Sequence, residues 1–319
     1  MRSLLPYCAV LPLAVPLNLE ASLFCGQAFR WQVITEDGEK KFRGVVEGEL
    51  VELARTDESI HGSLRIESTA PLILNQPLEK FFTRYLGLDD PIEAFFAPEF
   101  QHNYPDLFAA SEHYFGLRVL HQAPFETLIS FMCAQGMGIA LIRRQADLLA
   151  TNLGSTTTEQ NFIPITAYEF PTAAQLAEAP LAALQVCTNN NSIRARNIKA
   201  VASLVARGDL KLETLASPHA SLDEARNALM ACSGIGEKIA DCVCLFGLGH
   251  SDAFPIDTHV RQYLDAWFGL RTATQSLTRT GYDRLADEAR KILGAKYAGH
   301  AGQILFHYWR LNVRGLTAV

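Results

Sequence analysis

Residues 225–248 read ARNALMACSGIGEKIADCVCLFGL. Apolar residues recur at helical spacing up to Met230, pause over SGIG, and resume from Ile239. Gly234 and Gly236 bracket Ile235. Glycine takes backbone conformations that other residues resist, so two helices can reverse over a tight turn there. Ser221, with Glu224 three residues later, is a start signal for the first helix, so the stretch predicts a helical hairpin over about 221–247. At the start of the second helix the first amides lack intrahelical partners and the helix dipole is positive, so the turn can hold an anion without basic side chains.

Glycines and periodicity leave two readings open: an ordinary hairpin, or a helix-hairpin-helix element facing a DNA phosphate. Lys238 lies in the first turn of the second helix, where the helix N-terminus and desolvation disfavour a protonated amine. A neutral amine is a nucleophile, and Cys242, four residues on, shares its face. The alternative is a surface lysine snorkelling past the hairpin. Asp257 follows Lys238 by 19 positions, in FPIDTHV (254–260), and reads as the N-cap of the next helix. A capping carboxylate is fixed in orientation and can also face Lys238 across a cleft. His259 reads equally as a core histidine or a phosphate contact.

The 319 residues are 49% hydrophobic and 19% charged with no low-complexity tract, which gives a sizeable core and suggests two domains more than one. Seven cysteines show no pairing pattern and no metal-ligand spacing, implying reduced intracellular thiols and no metal cluster. The apolar start, MRSLLPYCAVLPLAVPLNLE, is broken by Pro6, Pro12 and Pro16. It reads as an extended segment entering the fold rather than a signal peptide. No uninterrupted apolar run reaches the roughly 18 residues of a membrane span. The net charge of -6 is local: residues 1–115 hold 9 Lys+Arg against 17 Asp+Glu, and the rest 19 against 17. The second part, with clusters at Arg143–Arg144 and at Arg194, Arg196 and Lys199, permits a DNA-binding face without demanding one.

The pattern changes class near residue 115. FRWQVI, KKFRGVVEGELVELAR and SLRIES read as strands separated by the turns EDGE and TDESIHG, an antiparallel meander. LEKFFTRYLGL and PIEAFFA then read as helical. Beyond residue 115 helices are expected near 124–135, 137–153, 172–184, 194–206, 221–232, 237–247, 258–268, 281–293 and 299–312. The fold class is therefore α+β: an N-terminal antiparallel sheet domain over 1–115 with flanking helices, and an all-α domain over 116–319.

GIGEKIADCVCLFGLGHSDAFPIDTHV resembles the helix-hairpin-helix DNA glycosylases with a Gly/Pro-rich loop and an essential aspartate, and most closely their 8-oxoguanine DNA glycosylase branch. LNLEASLFCGQAFRWQ (17–32), APFETLISFMCAQ (123–135) and AGHAGQILF (298–306) resemble further segments of that branch, in the same order. The resemblance implies a base-excision-repair glycosylase with AP lyase activity acting on damaged double-stranded DNA. Lys238 would attack the sugar and Asp257 would stabilise charge on it. Gly26 matches the glycine whose carbonyl recognises 8-oxoguanine, and Cys242 and Phe306 match the residues on the two faces of the base. Gly234, Ile235, Gly236 and His259 would face phosphates. The family implies a monomer and no required cofactor, although hairpin backbone carbonyls could hold a monovalent or divalent cation.

Four places depart from the pattern. Ungapped alignment puts Gly302 where the family has a base-edge glutamine and Gln303 one place later, about 100° around a helix. Gly136 stands where the cytosine-reading asparagine would be, and Leu141 where an arginine would be. Arg194 is kept in NSIRARN, but Ile193 replaces a tyrosine. The AQG turn resembles the alkylation-repair branch, with Gln135 or Met137 as a wedge into the gap left by a flipped base. No cysteine follows Cys244, so the iron–sulfur cluster of the endonuclease III branch is not expected. Two alternatives stand beside the lead reading: a monofunctional glycosylase for alkylated bases, against which Lys238 argues, and a non-catalytic DNA-binding module, against which the joint placement of Lys238 and Asp257 argues.

Overall fold

The computed structural model describes residues 5–56, 62–157 and 165–316. Its N-terminal part is a five-stranded antiparallel sheet of β1 (Tyr7–Pro12), β2 (Gln32–Glu36), β3 (Glu39–Val46), β4 (Glu49–Arg55) and β5 (Ser63–Ser68), in spatial order β1-β5-β4-β3-β2. The proline-broken N-terminus enters the fold as β1, paired along β5. The turns joining β2 to β3 and β3 to β4 place Asp37–Gly38 and Glu47–Gly48 at positive φ, the geometry that matches strand twist in a two-residue hairpin. Residues 57–61 of the TDESIHG turn lie outside the described residues.

Alternation gives the sheet two unlike faces. Phe42, Val46, Val51, Leu53, Leu64 and Ile66 share a core with Leu23 of α1 (Leu19–Phe24) and with Phe81 and Phe82 of α2 (Leu78–Tyr85). The opposite face is an ionic lattice. Glu52 and Glu67 face each other across β4 and β5, a like-charge pair that destabilises a sheet unless neutralised. Lys41 reaches both, at 3.1 and 3.3 Å, and Arg43 binds Glu52 at 2.5 Å and Glu36 at 2.8 Å.

Helices fill the rest: α3 (Pro98–Asn103), α4 (Pro105–Glu112), α5 (Pro124–Cys133), α6 (Ile139–Leu153), α7 (Ala173–Glu178), α8 (Leu181–Cys187), α9 (Ser192–Ala206), α10 (Leu212–Leu215), α11 (Leu222–Met230), α12 (Glu237–Phe246), α13 (Thr258–Phe268), α14 (Arg279–Leu293) and α15 (Ala298–Tyr308), which runs on into a π-turn at Trp309–Val313. The stretch 172–184, expected as one helix, is divided. Pro180 disfavours helical backbone at Ala179 and lacks an N–H, so α7 ends before it and α8 begins behind it. PIEAFFA forms only a short 3₁₀ turn, Ile92–Ala94.

Packing does not follow the switch at residue 115. The sheet's apolar face is already closed by α1 and α2. Phe95, Phe96 and Phe100 instead join Phe254, Tyr263, Leu285 and Leu305 in a separate core with the C-terminal helices. Side chains of α5, α6, α8, α9, α11 and α12 form a third core. No helix of the described residues is long and apolar enough to cross a membrane.

Two glycines let α15 lie against the segment leaving α12. A Cβ on Gly299 would run into Leu245 Cδ1 and come within 2.6 Å of the Ala253 carbonyl, and one on Gly302 would come within 2.6 Å of the Phe254 ring. Gly299 N–H donates to the Ser251 carbonyl at 3.0 Å, which fixes the start of the helix. His300, one place on, is buried against Asp90, whose Oδ2 lies 3.2 Å from Nε2 of both His300 and His121. Gly299→Ala should therefore destabilise the fold by about 1–3 kcal/mol through overpacking, read as a lower urea midpoint with an unchanged slope.

Candidate active site

The hairpin forms as expected. Ser221 accepts from Glu224 N–H at 3.2 Å and Glu224 Oε2 accepts from Ser221 N–H at 2.8 Å, a closed capping box on α11. Gly234 has φ +85, and a Cβ there would press on the Asn197 side chain; Gly236 caps α12 and faces open space. Ile235 is the exception to the expected phosphate grip. Its side chain is buried in the helical core, and its N–H donates to the Cys232 carbonyl at 3.2 Å. It anchors the turn, and the anion-binding capacity falls to the first-turn amides of α12.

Behind the hairpin lies a cavity of about 330 Å³. Gly26, Lys238, Cys242, Asp257, His259, Gln303 and Phe306 line it, and so does Met137, the alternative wedge. The first seven come from the turn after α1, from α12, from the start of α13 and from α15. Lys238 is half-buried with its Nζ 5.4 Å from the centre of the Phe131 ring. Cys242 is buried, and burial pushes its thiol up to about 12, so it stands in the wall as an apolar surface rather than a thiolate. Asp257 is the N-cap of α13: Oδ1 accepts from Val260 N–H at 2.9 Å. The capping and site readings of Asp257 are compatible, because the cap engages one oxygen and the residue still lines the cavity.

Gln303 and Gly302 both line the cavity, but only Gln303 brings a side chain to it. Gly302 is turned inward onto Phe254, while Gln303 Nε2 donates to the Cys25 carbonyl at 3.2 Å, beside Gly26. Gly26 has φ +94, which requires glycine, and its Cβ position faces Ile139 Cδ1 at 3.4 Å. Phe306 meets the His259 ring edge-on at 6.0 Å. His259 is a wall residue whose Nδ1 is buried without a hydrogen-bond partner.

The two remaining DNA-contact expectations fall differently. Gln135 is exposed at the end of α5, and its Nε2 donates to the Gly234 carbonyl at 2.8 Å, so it braces the hairpin. Arg194 is not on the surface. It is buried, donating to Gln145 Oε1 at 3.3 Å and to the Gln135 carbonyl at 2.6 Å. The N-cap bond from Arg194 N–H to Asn191 Oδ1 starts α9 with the side chain turned under the AQG turn, where it supports Gln135 rather than reaching a base.

Sequence reading missed three contributors. Phe131 forms a wall under Lys238. Gln27 is buried and ties down the turn that carries Gly26: Nε2 donates to the Ser22 and Arg118 carbonyls at 2.7 Å each, and Oε1 accepts from Leu120 N–H at 2.9 Å. Arg310 lines the cavity with its guanidinium 5.5 Å from the centre of the Phe306 ring. Its position four residues after Phe306, on the same helical face, was the available signal. Among the described residues no group of three or more His, Cys, Asp or Glu side chains could hold a metal ion.

A glycine-bracketed hairpin with a lysine in its second helix, and a capping aspartate lining the same cavity, is the arrangement that the resemblance to the helix-hairpin-helix DNA glycosylases implied. Residues 10–128 match the profile of the 8-oxoguanine DNA glycosylase N-terminal domain. The N-glycosylase/DNA lyase of Saccharomyces cerevisiae is 27% identical over 313 residues, covering 92% of this chain and 79% of the relative. The N-glycosylase/DNA lyase of Arabidopsis thaliana is 29% identical over 294 residues, covering 91% and 76%. The solved structure of MBOgg1 with a low-affinity DNA ligand superposes with a TM-score of 0.77 at 26% identity, over 95% of each chain. The 8-oxoguanine glycosylase/lyase of Clostridium acetobutylicum, solved with DNA, has a TM-score of 0.76 at 24% identity, over 94% of this chain and 93% of that one. The chain is thus similar, along most of its length, to N-glycosylase/DNA lyases and 8-oxoguanine glycosylases, and its first part matches their N-terminal domain.

The last helix carries a pH-sensitive group. His307 is buried beside Phe306, and burial, with the Arg310 charge adding to it, pushes its imidazole down from the ordinary 6.5 to about 4. The unfolded chain therefore binds a proton below about pH 6.5 that the folded chain takes only near pH 4, and stability is lost as pH falls through that window. Asp241, held up at about 6 by burial, pulls the opposite way between its ordinary 3.8 and 6. Only a paired comparison isolates the histidine. The stability gap between the wild type and His307→Asn should shift against the wild type by on the order of 2 kcal/mol between pH 7 and pH 4, measured by urea unfolding.

Proposed function

We propose that this protein is a bifunctional DNA glycosylase and AP lyase that removes oxidised purines, 8-oxoguanine first, from duplex DNA. The observation that carries the reading is the convergence of Lys238, Asp257, Gly26, Cys242, Gln303 and Phe306 on one cavity from stretches far apart in the chain. The relatives named N-glycosylase/DNA lyase support it.

A glycosidic bond in the stack is out of reach, so the damaged nucleotide is flipped into the cavity. Cys242 and Phe306 take the two faces of the base. The Gly26 carbonyl accepts the N7–H of 8-oxoguanine, whereas guanine, with a lone pair at N7, would set two acceptors against each other. The unprotonated Lys238 amine bonds to C1′ as the C1′–N9 bond breaks, and the base leaves with that electron pair and takes up a proton. The Asp257 carboxylate stabilises the positive charge that develops on the sugar. The adduct opens to a Schiff base. Loss of a C2′ proton then expels the 3′ phosphate, and water returns the free lysine.

The first-turn amides of α12 after Gly234 and Gly236, with His259, would hold backbone phosphates. A monovalent or divalent cation held by hairpin carbonyls is compatible with this, since the Cys232 and Gly234 oxygens each accept one hydrogen bond and keep a second lone pair. We place the protein inside the cell, as a monomer.

Leu141 and Ile193 are exposed apolar side chains, Gly136 has none, and Arg194 is turned inward. The positions that would read an orphaned cytosine thus offer it no hydrogen-bonding side chain. Borohydride trapping on duplexes with one 8-oxoguanine opposite each of the four bases tests both readings. Wild type should give a covalent adduct and Lys238→Gln none, with rates across the opposite bases within about tenfold, at the low end of what one good base contact supplies. Base release without an adduct would make the enzyme monofunctional, and a strong preference for cytosine would overturn the opposite-base reading.

A further inference from the structure

The loop that delivers Asp257 is held at its end by one buried hydroxyl. Residues 247–257 lead from α12 to α13, and the final steps have few backbone anchors. Pro255 has no N–H to give. Ile256, the residue before Asp257, is buried, and its N–H donates to Tyr282 Oη on α14 at 2.9 Å. The same hydroxyl donates to Asp241 Oδ2 at 2.8 Å. Asp241 lies on α12 three residues after Lys238 and is fully buried. Tyr282 is also buried, its ring packed in the core shared by α13, α14 and α15.

A tyrosine has a single proton. With Asp241 ionised, that proton goes to the carboxylate, so the hydroxyl oxygen is left to accept from the amide. The direction of both bonds is thereby fixed. The other Asp241 oxygen lies 2.8 Å from Arg226 Nε, yet neither atom makes an aligned hydrogen bond. That contact is an ion pair that holds Asp241 charged, and Tyr282 supplies the aligned bond. Arg226 is anchored in turn by Asp283, at 2.7 Å. A buried charge is costly, and a well-packed apolar group would serve stability alone as well or better. Here the charge sits where the helix carrying Lys238 meets the loop carrying Asp257.

We propose that Tyr282, oriented by Asp241, is a positioning residue that sets the register of the Asp257 cap against Lys238. It touches neither DNA nor the reacting atoms. The proposal rests on the reading of Lys238 and Asp257 as the reacting pair. Its consequence is specific: losing the hydroxyl should affect the chemical step more than DNA binding, because the first-turn amides of α12 do not depend on it.

The test is Tyr282→Phe, which keeps the ring and deletes one oxygen. Single-turnover base release from an 8-oxoguanine duplex should fall by about tenfold or more, as small misplacements of reacting groups do, while the Kd for a duplex with a tetrahydrofuran abasic analogue stays within about twofold. Asp241→Asn keeps an acceptor for the hydroxyl and should fall between wild type and Tyr282→Phe. Amide exchange supplies a readout independent of catalysis. Peptides covering 254–262 should exchange about tenfold faster in Tyr282→Phe than in wild type, and those covering 222–232 should be unchanged. Unchanged exchange at 254–262, or base release within twofold of wild type, overturns the proposal. Parallel loss of catalysis and DNA binding also overturns it, since it would mean general loosening. If wild type itself formed no lysine adduct, the reading of Lys238 would fail, and the exchange result would still decide whether Tyr282 positions Asp257.

Discussion

The close approach of α15 to the segment leaving α12 is the constraint on which the cavity depends. Gly299 and Gly302 let the last helix lie against Leu245, Ala253 and Phe254 at distances no side chain would permit. That depth places Gln303 and Phe306, and Arg310 in the π-turn beyond them, along one wall. It also brings Gln303 to the Cys25 carbonyl beside the Gly26 turn, and with Phe29 meeting Phe131 edge-on at 5.4 Å the sheet part and the helical part join at the cavity. Asp90, shared between His121 and His300, adds a second tie to the same helix. Burial pushes the His300 imidazole down while the Asp90 carboxylate opposes that shift, and Asp90 itself is held well below the usual carboxylate range. The helix is thus fixed by shape on one face and by buried hydrogen bonds on another, which a preorganised site needs.

An acidic chain can still present an anion-binding face, because the two charges are used in different places. Much of the acidity is absorbed on the sheet, where Glu36, Glu39, Glu52 and Glu67 are consumed by Lys41, Arg43 and Arg65. That lattice stabilises strand pairing and leaves little field to project outward, since paired charges at short range cancel beyond about a Debye length. The backbone dipoles at the hairpin do not appear in a count of formal charges. The net charge of -6 is therefore a poor guide to what this surface attracts.

Elements whose local chemistry agreed with their packing were legible from the sequence. The hairpin, with Ser221, Glu224, Gly234 and Gly236 all pointing the same way, formed where its signals placed it. Lys238 and Asp257 were legible because their spacing and caps are local, although their meeting across a cavity was an inference from resemblance. Three features were hidden because they are set by tertiary partners. Arg194 looked like a surface cation in a basic cluster, yet the Gln145 side chain and the Gln135 carbonyl draw it inside. Residues 92–115 continued the N-terminal part in sequence, yet their phenylalanines had no room under a sheet already covered by two helices. Gln27 looked like one more polar residue in a loop, and only the three backbone groups it satisfies, at Ser22, Arg118 and Leu120, reveal it as the anchor of Gly26.

Asp257 shows why structural and chemical demands can fall on one side chain without conflict. An N-cap needs a short acceptor held at an extended backbone, and charge stabilisation needs a carboxylate that does not move as the reaction proceeds. The cap bond to Val260 satisfies both: it fixes the rotamer through one oxygen, while the residue stays at the cavity wall. Asparagine or serine could cap α13 about as well, so helix stability alone does not require a charge here. The carboxylate is half-buried at the cavity wall, and burial first, with the Asp257 charge adding to it, holds the proton on the Tyr263 hydroxyl. A carboxylate kept where a neutral cap would suffice is thus better explained by what forms in the cavity than by the helix it begins.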